Sequence, residues 1–343
     1  MRTVSLFPLP IFCRQGIIFS SPYREKVWLK GVFYMSLRPA DIARVKGMGF
    51  LLNRGTECFS GRIVPAGSVF TAEELSAVAE LSRQFGNGKI AFTSRLTAEI
   101  VGIPYDKIDE AVAFAGAHGL RFGGTGAKVR PVAACKGTTC VYGNYDTQAL
   151  GKELHERYYL GWDAVSLPHK FKIAVGGCPN SCMKPSLNDF GVEGHRVPHI
   201  DLEKCRGCKV CQVETRCPVN AASVQNGKVS INPDSCKTCG VCASKCPFGA
   251  VTGGGTLYQI YLGGTWGKAT RMGTPFPRLV GRDEIFPLLE KTMLWFRENA
   301  WQKERLGAAM DRVGTEAFLA ALEGPELLER REAILSAGIQ PRP

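Results

Sequence analysis

Eight cysteines between residues 201 and 249 stand in two runs with the same internal spacing. In each run three cysteines follow the pattern C-x2-C-x2-C, and a fourth stands immediately before a proline. Thiolates at this spacing can bind three irons of one [4Fe-4S] cubane, so both runs predict iron–sulfur chemistry. The runs are Cys205, Cys208, Cys211 and Cys217, followed by Cys236, Cys239, Cys242 and Cys246.

The double run is the pattern of bacterial two-cluster ferredoxins, in which the fourth cysteine of each run crosses to the other cluster. It predicts one cluster on Cys205, Cys208, Cys211 and Cys246, and a second on Cys236, Cys239, Cys242 and Cys217. Five residues separate Cys211 from Cys217 where the common run has three, which leaves the geometry of the second cluster open. A pair of zinc knuckles is the alternative, but zinc sites use paired cysteines rather than triple runs.

Two further cysteine pairs lie outside this block: Cys135 with Cys140, and Cys178 with Cys182. Their four thiolates are enough for a third cubane. A protein that only carried electrons would not need this second set. The pairs therefore favour a separate catalytic centre, and only Cys13 and Cys58 remain outside the ordered spacings.

The sequence around these pairs resembles the sirohaem-containing sulfite and nitrite reductases over about residues 46–322. The segments that carry the resemblance are ACKGTTC, LPHKFKIAVGGCPNSCMKPSLNDFGV and YLGGTWGKATRMG. With its inserted ferredoxin pattern, the chain is most similar to the catalytic C-type polypeptides of anaerobic sulfite reductases. The resemblance implies that Cys182 both ligates the cubane and bridges to the sirohaem iron. One departure is that Cys135 and Cys140 are spaced C-x4-C, where the family usually has C-x5-C.

The resemblance also assigns cationic residues to the cofactor and the substrate. Sirohaem carries eight carboxylates and sulfite is itself an anion, so both need arginine and lysine side chains aimed inward. The matching cations that face substrate and cofactor are Arg62, Arg95, Arg130, Lys170 and Lys172. Gly263, Gly264, Lys268 and Arg271 are expected to contact the sirohaem, and His169 is interpreted as structural. For each cation the alternative is a solvated surface charge.

Local patterns predict the elements that position these residues. The segment from Gly61 to Phe70 is strand-like, and Thr71 with Glu74 forms a capping-box pattern before a helix. Residues 89–103 are again strand-like, and Tyr105 to His118 is helix-like. The later part contains a helix near 147–159, a strand over 258–264 and helical segments from residue 283 onward.

These patterns predict an α+β chain built as a nitrite/sulfite reductase half-repeat. We expect an N-terminal extension over residues 1–45 that is poorly ordered, with Met35 as a candidate start, and a ferredoxin-like half-domain over 46–124. A sirohaem and [4Fe-4S] domain follows over 125–196 and resumes over 253–343 with the C-terminal helices. The two-cluster ferredoxin domain is inserted over 197–252.

Composition excludes several classes of protein. The 343 residues have an ordinary globular balance, 45% hydrophobic and 22% charged, and no apolar run is long enough to span a membrane. The net charge is +12, but the lysines and arginines are spread along the sequence and form no run. This distribution argues against nucleic acid as a partner. Three clusters of about −2 each and a sirohaem of about −8 would nearly cancel it. Ordered cysteine spacings predict a cytoplasmic location.

The resulting hypothesis is an enzyme that reduces sulfite to sulfide by six electrons, fed through its own ferredoxin domain. Nitrite reduction to ammonia on the same cofactor is one alternative, and a non-catalytic electron-transfer subunit is another. Its cofactors would be sirohaem and three [4Fe-4S] clusters. We expect a flavin or iron–sulfur electron donor, and a homodimer or a dimer within a larger complex, since this chain has one copy of a unit that assimilatory relatives carry twice.

Overall fold

The computed structural model describes residues 37–343, which form two compact units. The first unit ends at Gly126, and the second comprises the rest of the chain together with the short segment Ala66–Ser68. The predicted half-domain over 46–124 stays a prediction.

The first unit is an antiparallel sheet packed against helices. Its sheet has the order β1-β2-β4-β3, and its core is formed by apolar side chains such as Phe50, Phe59 and Ile100. The elements are α1 (Pro39–Gly47), β1 (Phe50–Leu52), β2 (Cys58–Ile63), α2 (Ala72–Phe85), β3 (Ile90–Phe92), β4 (Ala98–Pro104) and α3 (Ile108–Ala117).

Two strand predictions in this unit need correction. The strand predicted from Gly61 to Phe70 ends at Ile63, because Pro65 has no N–H to give to a ladder and Gly67 turns the chain at φ +60°. The strand predicted over 89–103 is split in two by a turn in which Leu96 has φ +57°. The capping box at the start of α2 is confirmed, since Thr71 and Glu74 each accept the other's backbone N–H.

The predicted disordered extension over residues 1–45 also differs from the structure at its end. Residues 39–47 form α1, whose Val45 is fully buried and whose Ile42 packs against the same core. Burial of this apolar face explains why the segment is helical. Residues 1–36, including Met35, lie outside the described part.

The second unit is built on a mixed five-stranded sheet with the order β11-β10-β7-β6-β5. The strands β5, β6 and β7 are parallel, and β7, β10 and β11 are antiparallel neighbours. The strands are β5 (Ala133–Ala134), β6 (Ile173–Gly176), β7 (Phe190–Ile200), β8 (Ala222–Gln225), β9 (Lys228–Ile231), β10 (Val251–Leu262) and β11 (Thr274–Pro275). The pair β8 and β9 forms a separate two-stranded sheet.

Helices cover this sheet and complete its core. The predicted helix near 147–159 is α4 (Thr147–Leu154), which continues as a π-turn to Leu160. The others are α5 (Gln212–Thr215), α6 (Arg282–Asn299), α7 (Leu306–Val313), α8 (Thr315–Glu323), α9 (Glu326–Glu329) and α10 (Arg331–Ser336). The longest, α6, buries Leu289, Met293 and Phe296. Within residues 37–343 no helix has both the length and the apolar character needed to cross a membrane.

The cysteine-rich segment joins the tips of two paired strands. β7 and β10 are paired from Phe190 opposite Leu262 to Ile200 opposite Val251. The segment between them has a small core of its own around Val213 and Val229. Without it, β7 and β10 could be joined by a turn, which is the geometry expected of an inserted module. Its identity as a two-cluster ferredoxin domain stays a prediction.

Candidate active site

The first catalytic cysteine pair and the second follow two adjacent parallel strands. Cys135 comes directly after β5, and Cys178 comes two residues after β6. Because carboxyl ends of parallel strands meet at the same sheet edge, both thiols are brought to that edge. The Cys135 N–H donates to the Val175 carbonyl at 3.0 Å, which continues the ladder into the site.

The four cysteines predicted for the catalytic centre converge at this edge. Burial raises the pKa of the Cys178 thiol, and the nearby thiols of Cys135, Cys140 and Cys182 raise it further, so all four share one electrostatic neighbourhood. The Gly177 N–H donates to Cys135 Sγ at 3.2 Å. Ser181, between the last two cysteines, has φ +54°, an uncommon conformation that a tight loop imposes.

This donor set fits a cubane. All four thiols are free, and Gly177 leaves room beside them, since an added Cβ there would stand 3.4 Å from Cys135 Sγ. In residues 37–343 no three His, Cys, Asp or Glu side chains approach closely enough to hold a single metal ion. A cubane spreads its thiolates over four irons, so its ligands need not approach that closely.

One cysteine set of the inserted segment lines a small cavity. Its lining contains Cys205, Cys208, Cys211 and Cys246, the four residues predicted to bind one cluster. Hydrogen bonds from the backbone N–H groups of Gly207 and Val229 lower the pKa of the Cys205 thiol. Such N–H donors favour the thiolate that ligates iron.

A second cavity in the inserted segment contains the other predicted set. Cys217, Cys236, Cys239 and Cys242 line it, so the structure brings Cys217 across to the second run. Burial, together with the neighbouring thiols, raises the pKa of Cys242 to about 11. Burial also raises the pKa of Cys217, but four backbone N–H groups outweigh it and the net shift is downward. A cationic iron core would relieve the repulsion among these thiolates. Both cavities fit the predicted clusters.

Three predicted cations share one face of two adjacent strand segments. Phe171 pairs in parallel with Val129, and both side chains are buried in the core. Since side chains alternate along a strand, Arg130, Lys170 and Lys172 point to the opposite face. The Arg130 N–H donates to the Phe171 carbonyl at 2.7 Å, which holds the two segments in register.

The cationic face is strongly positive and contains a neutral histidine. Burial lowers the pKa of Lys170, and the charges of Arg305 and Arg130 lower it further. Burial lowers the pKa of His169 to about 4, with the surrounding cations acting in the same direction. The Lys170 N–H donates to His169 Nδ1 at 2.8 Å, so this nitrogen is an acceptor and the ring proton is on Nε2. His169 is therefore an uncharged donor beside the cations.

Sequence reasoning missed a buried ion pair behind this face. Arg305 Nη2 donates to both carboxylate oxygens of Asp189, at 2.9 and 2.8 Å, and Asp189 is fully buried. Asp189 Oδ2 also accepts the backbone N–H of Lys172 at 2.8 Å, so the pair fixes the backbone at Lys172. Burial raises the pKa of Asp189, while Arg305 favours its ionised form. Asp189 stands within the quoted LNDFGV segment, but no local pattern marks Arg305, which is 116 residues away.

Loss of this carboxylate should destabilise the fold. We expect Asp189→Asn to lower the free energy of unfolding by about 3–5 kcal/mol, because it leaves the charge of Arg305 buried without a counterion. Denaturant unfolding of the full chain measures this. The matched control is Asp311→Asn, which removes an exposed carboxylate from Arg271 and should cost about 1 kcal/mol or less. Equal losses in both variants would contradict the assignment of Asp189 as a buried anchor.

Two predicted cations belong to the first unit. Arg62, on β2, forms an ion pair with Glu99 and donates to the Gly124 carbonyl at 3.0 Å. Arg95 lies in the turn between β3 and β4 and is half-buried. The charge of Arg62 is thus compensated within its own unit, and a substrate-facing role for either residue stays a prediction.

The glycine turn predicted to contact sirohaem is held by its own chain. The N–H groups of Gly263 and Gly264 donate to the carbonyls of Asp189 and Asn188, each at 2.9 Å. The guanidinium of Arg271 donates to Asp311 at 2.7 Å and to the Gly263 carbonyl at 3.3 Å, which makes it a brace of the turn. Lys268 is exposed. Contacts of this turn with a cofactor stay a prediction.

The cations and the cysteines lie at opposite ends of one strand. Lys172 immediately precedes β6 and Cys178 follows it by two residues, and the four residues of this strand span about 13 Å. The second unit therefore places Arg130, Lys170 and Lys172 before β6 and the cysteine set after it.

Two family models match the chain. The nitrite and sulphite reductase 4Fe-4S domain matches residues 125–328, and the nitrite/sulfite reductase ferredoxin-like half domain matches residues 53–117. Together they cover most of the described residues of both units.

Curated relatives and a solved structure agree with these matches. The chain is 32% identical over 279 residues to the coenzyme F420-dependent sulfite reductase of Methanocaldococcus jannaschii, an alignment that covers 80% of this chain and 43% of that protein. It is 28% identical over 305 residues to the alpha polypeptide of the dissimilatory-type sulfite reductase of Allochromatium vinosum, covering 82% and 73%. The structure of dissimilatory sulfite reductase I aligns with a TM-score of 0.65 at 24% identity, over 78% of this chain and 69% of that one. This chain thus spans less than half the length of the F420-dependent relative.

Proposed function

Since this chain belongs to the nitrite and sulfite reductase family, we propose that it reduces sulfite to sulfide by six electrons. The observation that carries the proposal is the convergence of Cys135, Cys140, Cys178 and Cys182 at one sheet edge. Relatives named as sulfite reductases support sulfite as the substrate.

The cysteine sets determine which cofactors the chain can hold. Cys135, Cys140, Cys178 and Cys182 would hold a [4Fe-4S] cluster, with Cys182 as the residue that would also hold sirohaem, and the two cavities of the inserted segment would hold one cluster each. Sirohaem would supply a redox-active iron for the reduction of sulfite. The clusters supply one-electron steps at tunable potentials.

The cationic face would bind the anionic substrate. Arg130, Lys170 and Lys172 present positive charge that stabilises the negative charge developing as sulfite oxygens leave. His169 adds an N–H donor without adding charge, because its Nδ1 is engaged by a backbone donor. Partial burial of the lysines strengthens these interactions by excluding water.

The visible spectrum of anaerobically purified protein tests the proposal first. Sirohaem bands are expected, and their absence would favour a non-catalytic electron-transfer subunit. Steady-state kinetics with sulfite and with nitrite then test the substrate. A much higher kcat/KM for nitrite would identify nitrite, rather than sulfite, as the preferred substrate.

We also propose that two copies of the chain share each active site. The whole length of β6 lies between Lys172 and Cys178, which supports a closed two-fold pair in which cations of one protomer face the sirohaem held by its partner. Arg130 would join the lysines on that facing surface, and Arg62 stays a predicted substrate contact. The chain would receive electrons from a flavin or iron–sulfur donor protein. Twelve free cysteines in the ordered spacings fit a reducing compartment such as the cytoplasm.

Mixing two inactive variants tests the shared site. A Lys172→Ala chain mixed with a Cys182→Ser chain should regain part of the sulfite reductase activity, because one of the two sites in a heterodimer then contains both intact sets. Activity is measured after co-refolding or co-expression and purification of the doubly tagged heterodimer. Each variant paired with itself is the control, and heterodimers as inactive as the homodimers would show self-contained sites.

A further inference from the structure

Asn144 lies buried between the catalytic cysteine loop and the inserted segment. Its backbone N–H donates to the carbonyl of Gly177, the residue before Cys178, at 3.0 Å. Its side-chain Nδ2 donates to the carbonyl of Cys239 at 3.5 Å and to that of Gly194, on β7, at 3.2 Å. One residue therefore connects the backbone next to Cys178 with the backbone of Cys239.

The backbone carbonyl oxygen of Asn144 also accepts hydrogen bonds. It accepts from Thr256 Oγ1 at 2.7 Å and from Arg196 Nη2 at 3.3 Å. Because its amide nitrogen faces two carbonyl oxygens, the orientation of the side chain is determined. Four strands or loops thus meet at this single buried residue, and none of its donors is left without an acceptor.

The inserted segment presents a glycine to this side chain. Gly240, next to Cys239, has φ +79°, and a Cβ at this position would stand 2.6 Å from Asn144 Oδ1. Arg196 strengthens the contact, since its N–H donates to the Thr238 carbonyl at 2.7 Å. The second cysteine set is therefore held directly against Asn144, in the loop that follows Cys140.

We propose that Asn144 is a positioning residue that sets the electron-transfer distance between these two cysteine sites. The inference deepens the proposed function. One electron leaves the cluster of the Cys239 set, which is oxidised, and arrives at the cluster of the Cys178 set, which is reduced; no bond or proton is exchanged there. Electron transfer through protein weakens steeply with distance, so a close hydrogen-bonded contact is the favoured crossing point. The reductant is the flavin or iron–sulfur donor protein.

Two variants perturb the contact from opposite sides. Asn144→Ala removes the side-chain amide that joins the two sites. Gly240→Ala adds a methyl group on the side of the inserted segment and changes no residue near Cys140 or Cys178. Gly249→Ala is the matched control, because its φ of +68° imposes similar strain while no atom lies within 4 Å of the added Cβ. Asn299→Ala controls for the loss of an asparagine. It removes a hydrogen bond of 3.0 Å from the side-chain amide of Asn299 to the Trp295 carbonyl, inside α6.

The measurement is laser-flash photoreduction of the holoenzyme with deazaflavin, followed by the rise of reduced sirohaem absorbance without sulfite. In Asn144→Ala and Gly240→Ala this internal rate should fall several-fold, because the rate of electron transfer decreases exponentially as the two cysteine sites move apart. Iron and sirohaem content should stay at the level of the unmodified chain. Both controls should keep the original rate.

An unchanged rate in Gly240→Ala at full iron content would overturn the inference, even if Asn144→Ala failed to load its cluster. Equal slowing in Gly249→Ala would also overturn it, by assigning the effect to general damage of the segment. Since sulfite is absent from the measurement, a protein that proves inactive on sulfite would contradict the proposed function and leave this comparison intact.

Discussion

Replacing Cys182 by serine is expected to abolish sulfite reduction while leaving both clusters of the inserted segment in place. Cys182 is an exposed member of the catalytic set and is expected to join the cubane to the sirohaem iron. A serine hydroxyl is not a thiolate and cannot provide that sulfur bridge. Iron content, sirohaem absorbance and electron paramagnetic resonance of the variant measure the outcome.

Cys208→Ser is the matched control for this variant. Cys208 is also exposed, but it belongs to the first set of the inserted segment. This change should disturb one cluster of that segment and leave the magnetic coupling between sirohaem and the catalytic cubane intact. Retained coupling in Cys182→Ser would show that another cysteine is the bridge.

Lys170→Ala and Lys172→Ala are each expected to lower kcat by about 10²-fold with little change in cofactor content. Both lysines lie on the cationic face, where positive charge is most valuable as oxygens depart. Lys172 should be the more sensitive, because Asp189 anchors its backbone and therefore directs its side chain. Steady-state kinetics with sulfite, alongside iron and sirohaem content, measure the effect.

The chain offers a control cation for the lysine variants. Lys128 shares the strand face, yet its Nζ is paired with Asp163 at 3.2 Å and it is partly exposed. Lys128→Ala should therefore retain nearly full kcat. A fully active Lys172→Ala enzyme would show that Lys172 is a solvated surface charge with no role in the reaction.

The sequence alone was sufficient for features that depend on short spacings. The triple cysteine runs, the GGCPNSC loop and the Thr71 to Glu74 capping box each act within a few residues, so their chemistry is readable without a fold. The nitrite/sulfite reductase half-repeat fold predicted from these motifs is confirmed by the family matches and the structural neighbour.

Other features depend on contacts between distant parts of the chain. No local pattern predicts that Arg305 neutralises Asp189, that Asn144 bonds to Cys239, or that Arg271 braces a turn through Asp311. Such partners are selected by packing of α7 and the inserted segment against the sheet, and long-range packing leaves no periodic signal in the sequence.

The separation of the cysteines from the cations likewise depends on the tertiary structure. The sequence determined which residues could ligate iron and which could bind an anion, because ligand chemistry resides in the residue types and their spacing. Only the tertiary structure decided where those groups lie. Parallel pairing of β5 with β6 brings the cysteines to one end of β6, and alternation about the paired Phe171 and Val129 puts Arg130, Lys170 and Lys172 on one face before its other end. Strand direction and register are properties of the assembled sheet, which is why the motifs alone could not reveal this separation.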